Sequence, residues 1–297
     1  MSSYQIGNQL FQVPILNASG CWSAYHSQLN ELYSSELGGI VAKTCTIFCK
    51  QGNDEPTYYF SEKDGVHFNS KGLPNYGYQY YRELSRDFTD KPYIISIAFE
   101  DFDKLKLLLK DYDQFVNKET LVEINLSCPN TQAEIPGYDV EFIEKLLAML
   151  FIYKLSHIKC GLKLPPYFQR KEIHKLADIF NEFSTVLYYI VVSNSIPNCM
   201  PLLEGEHVLS TKFGGMSGKI NKNIALSNVA SFSEKINKNI KIVGCGGIDN
   251  VDDILDYFKH GADFVQLASC FYNDHTNKLD IDKINTTIHE FSNKKNI

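Results

Sequence analysis

Short apolar runs and longer helical patterns alternate eight times along this chain, and no other feature restricts its fold as much. Strand-like runs occupy 14–18, 39–43, 93–98, 121–127, 160–164, 187–193, 241–245 and 263–268. Helical spacing fills 27–35, 76–86, 101–110, 140–151, 171–183, 227–235, 251–259 and 281–291. In the run before Cys128, residues Leu121, Val122, Ile124 and Leu126 leave little polar face, as in a parallel strand covered on both sides. Successive βα units lie in parallel, and eight of them close a barrel. The expected fold is therefore an α/β (β/α)8 TIM barrel with its active site at the C-terminal strand ends. Ser227 and Asn250 are expected as helix N-caps. Loose alternation over 4–13 around Gly7-Asn8 predicts a β-hairpin closing the bottom of the barrel. No linker or repeat interrupts the pattern, so 1–297 reads as a single domain.

Composition narrows the function classes. A hydrophobic share of 44% supplies a sizeable core, while a net charge of −6 offers no footprint for nucleic acid. No apolar stretch approaches the roughly 20 residues that span a bilayer, and residues 1–5 carry no signal segment. The 8 cysteines are expected as free thiols in a reducing, cytoplasmic setting. Cys45 and Cys49 lack the further ligands that a zinc site needs, so no metal is expected.

The unusual residues gather at strand ends. The stretch E-I-N-L-S-C-P-N-T at 123–131 ends a buried strand at Pro129, which cannot donate to a ladder. Asn125, Ser127, Cys128 and Asn130 are thereby expected at the barrel mouth. A thiol there can act as nucleophile or proton acceptor, or simply fill space as a small hydrophobe. Lys43 and Lys163 end two other strands, and lysines at a barrel mouth suggest anionic partners. Asn69, Asn125, Asn130 and Asn194 can donate and accept toward a planar, amide-rich ligand. Gly246-Gly247, with Ala268-Ser269 one strand later, occupies the usual phosphate position of these barrels. Residues 214–218, G-G-M-S-G, read as a second flexible backbone segment.

These motifs resemble a known family. The strings NASG at 17–20, NSKGLPN at 69–75, INLSCPN at 124–130 and GLKLPPYF at 161–168 are similar to dihydroorotate dehydrogenase of family 1, subclass 1A. So are SNSI at 193–196, FGG at 213–215 and GCGG at 244–247. The resemblance implies an FMN-containing barrel that oxidises dihydroorotate to orotate in pyrimidine synthesis. It further implies a cytoplasmic homodimer that binds neither nucleic acid nor membrane and passes its electrons to fumarate, giving succinate. By the same resemblance Cys128 is the base, with Lys43 and Lys163 also in the catalytic set. Lys43, Asn69, Asn125, Asn130, Asn194 and Ser195 would hold substrate, with the backbone of Lys71, Gly72 and Leu73 at its carboxylate. The FMN would be lined by Ala18, Ser19, Lys43, Thr44, Asn125, Lys163, Val192, Gly218, Gly246, Gly247, Ala268 and Ser269. The chain departs from the family at Lys71, commonly Met, at Pro197 and Cys199, commonly Gly, at Ala268-Ser269, commonly Gly-Thr, and in a shortened 206–213 segment. Two other readings compete: a tRNA dihydrouridine synthase-like flavoprotein, and a catalytically silent barrel kept as a scaffold.

Overall fold

The computed structural model describes residues 4–127, 135–273 and 278–295. Its strands run where the apolar runs predict: β1 Ile15–Asn17, β2 Ile40–Val41, β3 Tyr93–Ile97, β4 Thr120–Asn125, β5 Ile158–Lys163, β6 Leu187–Val192, β7 Lys241–Cys245 and β8 Phe264–Leu267. All pair in parallel with their sequence neighbours, and a Leu16–Gly39 bridge joins the first to the second and closes the barrel. The helices are α1 His26–Ser34, α2 Tyr78–Leu84, α3 Phe102–Phe115, α4 Val140–Tyr153, α5 Arg170–Glu182, α6 Lys222–Ser233, α7 Val251–Lys259 and α8 Ile281–Lys295.

Alternation along each strand sorts the core into two. Val122 and Ile124 of β4 face outward and pack with Leu105, Leu108 and Ile143 of the helices. Leu121 faces inward with Leu16, Val41, Ile94, Val191, Val243 and Phe264. Both faces are thus apolar, which is why the strands read as nearly continuous hydrophobic runs.

The opening segment forms the expected hairpin, Tyr4–Ile6 against Gln9–Phe11. Ile6 and Phe11 insert into the inner core, where the Phe11 and Phe264 rings meet edge-on at 4.9 Å. Glu119, just before β4, accepts from Asn8 Nδ2 at 2.8 Å and ties the turn to the N-terminal strand ends. Fully burying two such side chains contributes about 3–6 kcal/mol.

Three expectations need correction. Ser227 lies inside α6, not at its cap, because Ala225, Val229 and Phe232 extend one buried face back toward Lys222. Asn250 does cap α7, accepting from Asp253 N at 3.0 Å in a reciprocal capping box. Residues 214–218 are not a flexible loop. They form the strand Gly214–Gly218 in a four-stranded antiparallel sheet with Ile196–Cys199, Val66–Asn69 and Tyr58–Ser61. Its glycines answer a steric demand: a Cβ at Gly215 would lie 2.4 Å from Ser195 Oγ. Lastly, α3 runs on to Phe115 because Tyr112 is buried on the face that carries Leu105, Leu108 and Leu109.

Candidate active site

Above the apolar plug the barrel interior turns polar. Glu123 of β4 stands two residues above Leu121 on the inward face, and its side chain is 0% exposed. Its Oε2 accepts from Gln266 Nε2 at 2.7 Å, and its Oε1 accepts from Ser96 Oγ at 3.2 Å. The Lys163 ammonium, with 3% of its side chain exposed, stands 4.0 Å from Glu123 Oε1 and donates to Gln266 Oε1 at 3.4 Å. A buried carboxylate without such partners would cost several kcal/mol. Four strands, β3, β4, β5 and β8, therefore supply a mutually bonded polar floor.

A hydroxyl chain climbs from this floor. Ser96 spends its proton on Glu123, so the Thr44 hydroxyl, 2.9 Å away, donates to Ser96 Oγ. Thr44 Oγ1 then accepts from Ser19 Oγ at 2.8 Å and from Asn125 Nδ2 at 3.2 Å. Asn125 Oδ1 in turn accepts from Ser127 N at 3.0 Å. Ser19, Thr44 and Asn125 are thus gathered above the floor, with Asn125 in register with Lys163 on the next strand. Lys43 sits next to Thr44, its main-chain N–H donating to Ser23 O at 2.8 Å. Cys128 and Asn130 lie outside the described residues, immediately beyond Ser127.

The rim comes from β7 and β8. Gly246 and Gly247 have φ of 136° and 64°, and a Cβ at Gly247 would strike Lys222 N at 2.5 Å. Buried Tyr257 donates to Gly246 O at 2.6 Å, and burial holds its phenol far above the ordinary range, so it stays a donor. Ala268 and Ser269 follow β8, where Ala18 N donates to Leu267 O at 2.7 Å. Val192 is placed differently: its side chain packs outward into the strand–helix core, so only its main chain is available to the mouth. Burial raises the Cys245 thiol, against the lowering effect of Lys163.

The antiparallel sheet brings in the remaining candidates. Asn69 pairs with Gly215 across it, and Ser195 Oγ stands over the same glycine. Asn194 Oδ1 accepts from Ser195 N at 2.8 Å. The 71–73 turn has left-handed backbone at Gly72 (φ 71°) and Leu73 (φ 57°), and Gly218 (φ 99°) packs against Gly65. Asn53 N donates to Lys71 O at 3.0 Å, and Asn75 Nδ2 to Leu73 O at 2.8 Å, which fixes the turn. Lys71 itself is exposed, with its ammonium 5.6 Å from the Tyr58 ring centroid.

Comparison with known proteins decides the family. The chain matches the dihydroorotate dehydrogenase family over residues 1–291. A protein of Streptococcus equi subsp. equi, provisionally named dihydroorotate dehydrogenase A (fumarate), is 34% identical over 281 residues, covering 91% of this chain and 87% of its own length. A Streptococcus pyogenes protein of the same provisional name is 33% identical over 287 residues, with the same coverage. The chain belongs to the dihydroorotate dehydrogenase family. It is an oxidoreductase, and oxidation of dihydroorotate in pyrimidine synthesis is its reaction. The fold agrees: a DHODH from Eimeria tenella crystallised with ferulenol superposes with a TM-score of 0.77 at 17% identity, covering 99% of this chain and 85% of that one. Among the described residues no cluster of metal-ligating side chains occurs, and no helix is long and apolar enough to cross a membrane.

Sequence reasoning missed Glu123, Ser96, Gln266 and Tyr257 as parts of this site. One signal was available: Glu123 shares strand parity with Asn125, so a charge must face the barrel axis wherever Asn125 does.

Proposed function

We propose that the mouth holds FMN and that this chain is a fumarate-dependent dihydroorotate dehydrogenase. The observation that carries the reading is the buried Lys163 ammonium on the polar floor, together with Gly247 of the rim, where a Cβ would strike Lys222 N. That pairing suits a flat cofactor with an anionic tail. Gly246, Gly247, Ala268 and Ser269 would hold the phosphate, while Ala18, Ser19, Lys43, Thr44, Asn125, Gly218, Lys163 and the Val192 main chain line the rest. When bound, FMN supplies the acceptor for the hydride that leaves carbon 6 of dihydroorotate.

The chain's own residues do the remainder. Cys128 accepts the proton from carbon 5, and thiolate is the competent form. Asn69, Asn125, Asn130, Asn194 and Ser195 orient the pyrimidine, and the backbone of Lys71, Gly72 and Leu73 with the Lys43 cation binds its carboxylate. Lys163 offsets negative charge gained by the cofactor. Fumarate, a planar dianion, suits the same cations, and the names of the streptococcal relatives support it as acceptor. We further propose a cytoplasmic homodimer with no membrane or nucleic-acid partner, in keeping with the net charge of −6. Family membership weighs against both the dihydrouridine synthase-like reading and the silent scaffold. The test is FMN reconstitution followed by anaerobic addition of dihydroorotate: bleaching of the flavin absorbance supports the reading, and an unchanged spectrum refutes it.

A further inference from the structure

Lys163 cannot hold its place alone. It is a buried cation on β5, and the carboxylate nearest to it, Glu123 on β4, has no exposure of its own. A buried ammonium stripped of its counter-charge either loses its proton or swings toward water. Gln266 touches both partners, donating to Glu123 at 2.7 Å and accepting from Lys163 at 3.4 Å. Ser96 fills a further acceptor site on the carboxylate. Among the described residues, the side-chain hydrogen bonds of Glu123, Gln266 and Ser96 run to one another, to Lys163 and to Thr44.

We propose that Glu123 is the positioning residue for Lys163, with Gln266 as its clamp, and that it acts on the reaction only by keeping a charged ammonium at the floor of the pocket. The inference rests on the FMN reading above. The cation stabilises the negative charge that two-electron reduction leaves on a flavin. Losing the anchor should therefore cost the same cofactor stabilisation as losing the lysine.

The test measures the two-electron potential of the reconstituted holoenzyme, with FMN affinity of the apoprotein alongside, in Glu123→Gln, Lys163→Met and the double variant. Each single change should lower the reduction equilibrium about tenfold, which is about 30 mV for a two-electron couple. The double variant should fall no further, because the two residues act as one unit. A Glu123→Gln potential equal to or above that of wild type, or effects that add in the double variant, would overturn the anchor. Should Glu123→Gln fail to fold, Gln266→Met keeps the ion pair but removes the clamp. It should show a drop of about threefold in the same direction, and no drop overturns the proposal. Failure of wild type itself to bind FMN would sink the functional reading and this inference together. A normal wild-type potential with unmoved variants would sink the anchor alone.

Discussion

Replacing Gly247 with alanine tests whether the rim is built for an anion's close approach. Two costs are legible in the structure. The residue has φ of 64°, and a left-handed conformation costs a non-glycine residue about 1–2 kcal/mol. The new Cβ would lie 2.5 Å from Lys222 N and 2.8 Å from Lys222 Cα. Those are backbone atoms of the first residue of α6, whose ammonium is tied to Asp253 at 2.5 Å and Asp256 at 2.7 Å on α7. The helix cannot yield cheaply, and such overpacking costs roughly 1–3 kcal/mol. The sum of about 2–5 kcal/mol lowers Tm where the rim keeps its shape, and where the rim relaxes by shifting, FMN binding weakens by up to roughly 4,000-fold at about 1.4 kcal/mol per decade. Titrating apoprotein with FMN and following the quench of flavin fluorescence measures it. Two controls separate the causes. Gly65→Ala has a φ of 62° but nothing within 4 Å of its Cβ, so it carries strain without a clash. Gly20→Ala has neither and should be neutral. A Gly247→Ala protein that binds FMN within threefold of wild type, with an unchanged Tm, would show that the rim tolerates a side chain there.

Other outcomes are expected. Cys128→Ala should keep FMN but slow its reduction by dihydroorotate by about 10²–10⁴-fold, with Cys128→Ser in between, measured by stopped-flow absorbance. In the wild type, the same rate should rise with pH as thiol gives way to thiolate. Tyr257→Phe removes the 2.6 Å bond to Gly246 O and should weaken FMN about tenfold at most without moving the pH profile, checked by the same titration. Thiol alkylation read by mass spectrometry should modify the exposed Cys21 and Cys49 first and spare Cys45 and Cys160, whose burial pushes their thiols up to about 12.

Much of the barrel could be read from the sequence because each strand is covered on both sides, which writes burial into consecutive residues. The hairpin was legible for a similar reason, since Gly7-Asn8 turns a short alternating segment. Long-range antiparallel pairing was not. The strand Gly214–Gly218 has no β-branched residue, and its partners lie near 67 and 197 in sequence. Its position is set by what crowds Gly215, which only the folded chain reveals. Ser227 misled because serine at a helix start is favoured locally, while the buried face of α6 began earlier, at Ala225. The polar floor was half visible. Lys163 stood out as a cation ending a strand, but Glu123 was masked by the apolar residues around it. A charge in such a run has to be balanced from another strand, and the sequence does not name which.

Anaerobic mixing of the FMN-loaded protein with dihydroorotate, followed by fumarate, NAD or a quinone in turn, distinguishes a fumarate-dependent dihydroorotate dehydrogenase from its alternatives. Dihydroorotate should bleach the flavin, fumarate alone should restore it rapidly, and orotate should slow this by competing for the reduced enzyme. Restoration by NAD and not by fumarate would contradict the acceptor assignment, and failure of dihydroorotate to bleach the flavin would contradict the account as a whole.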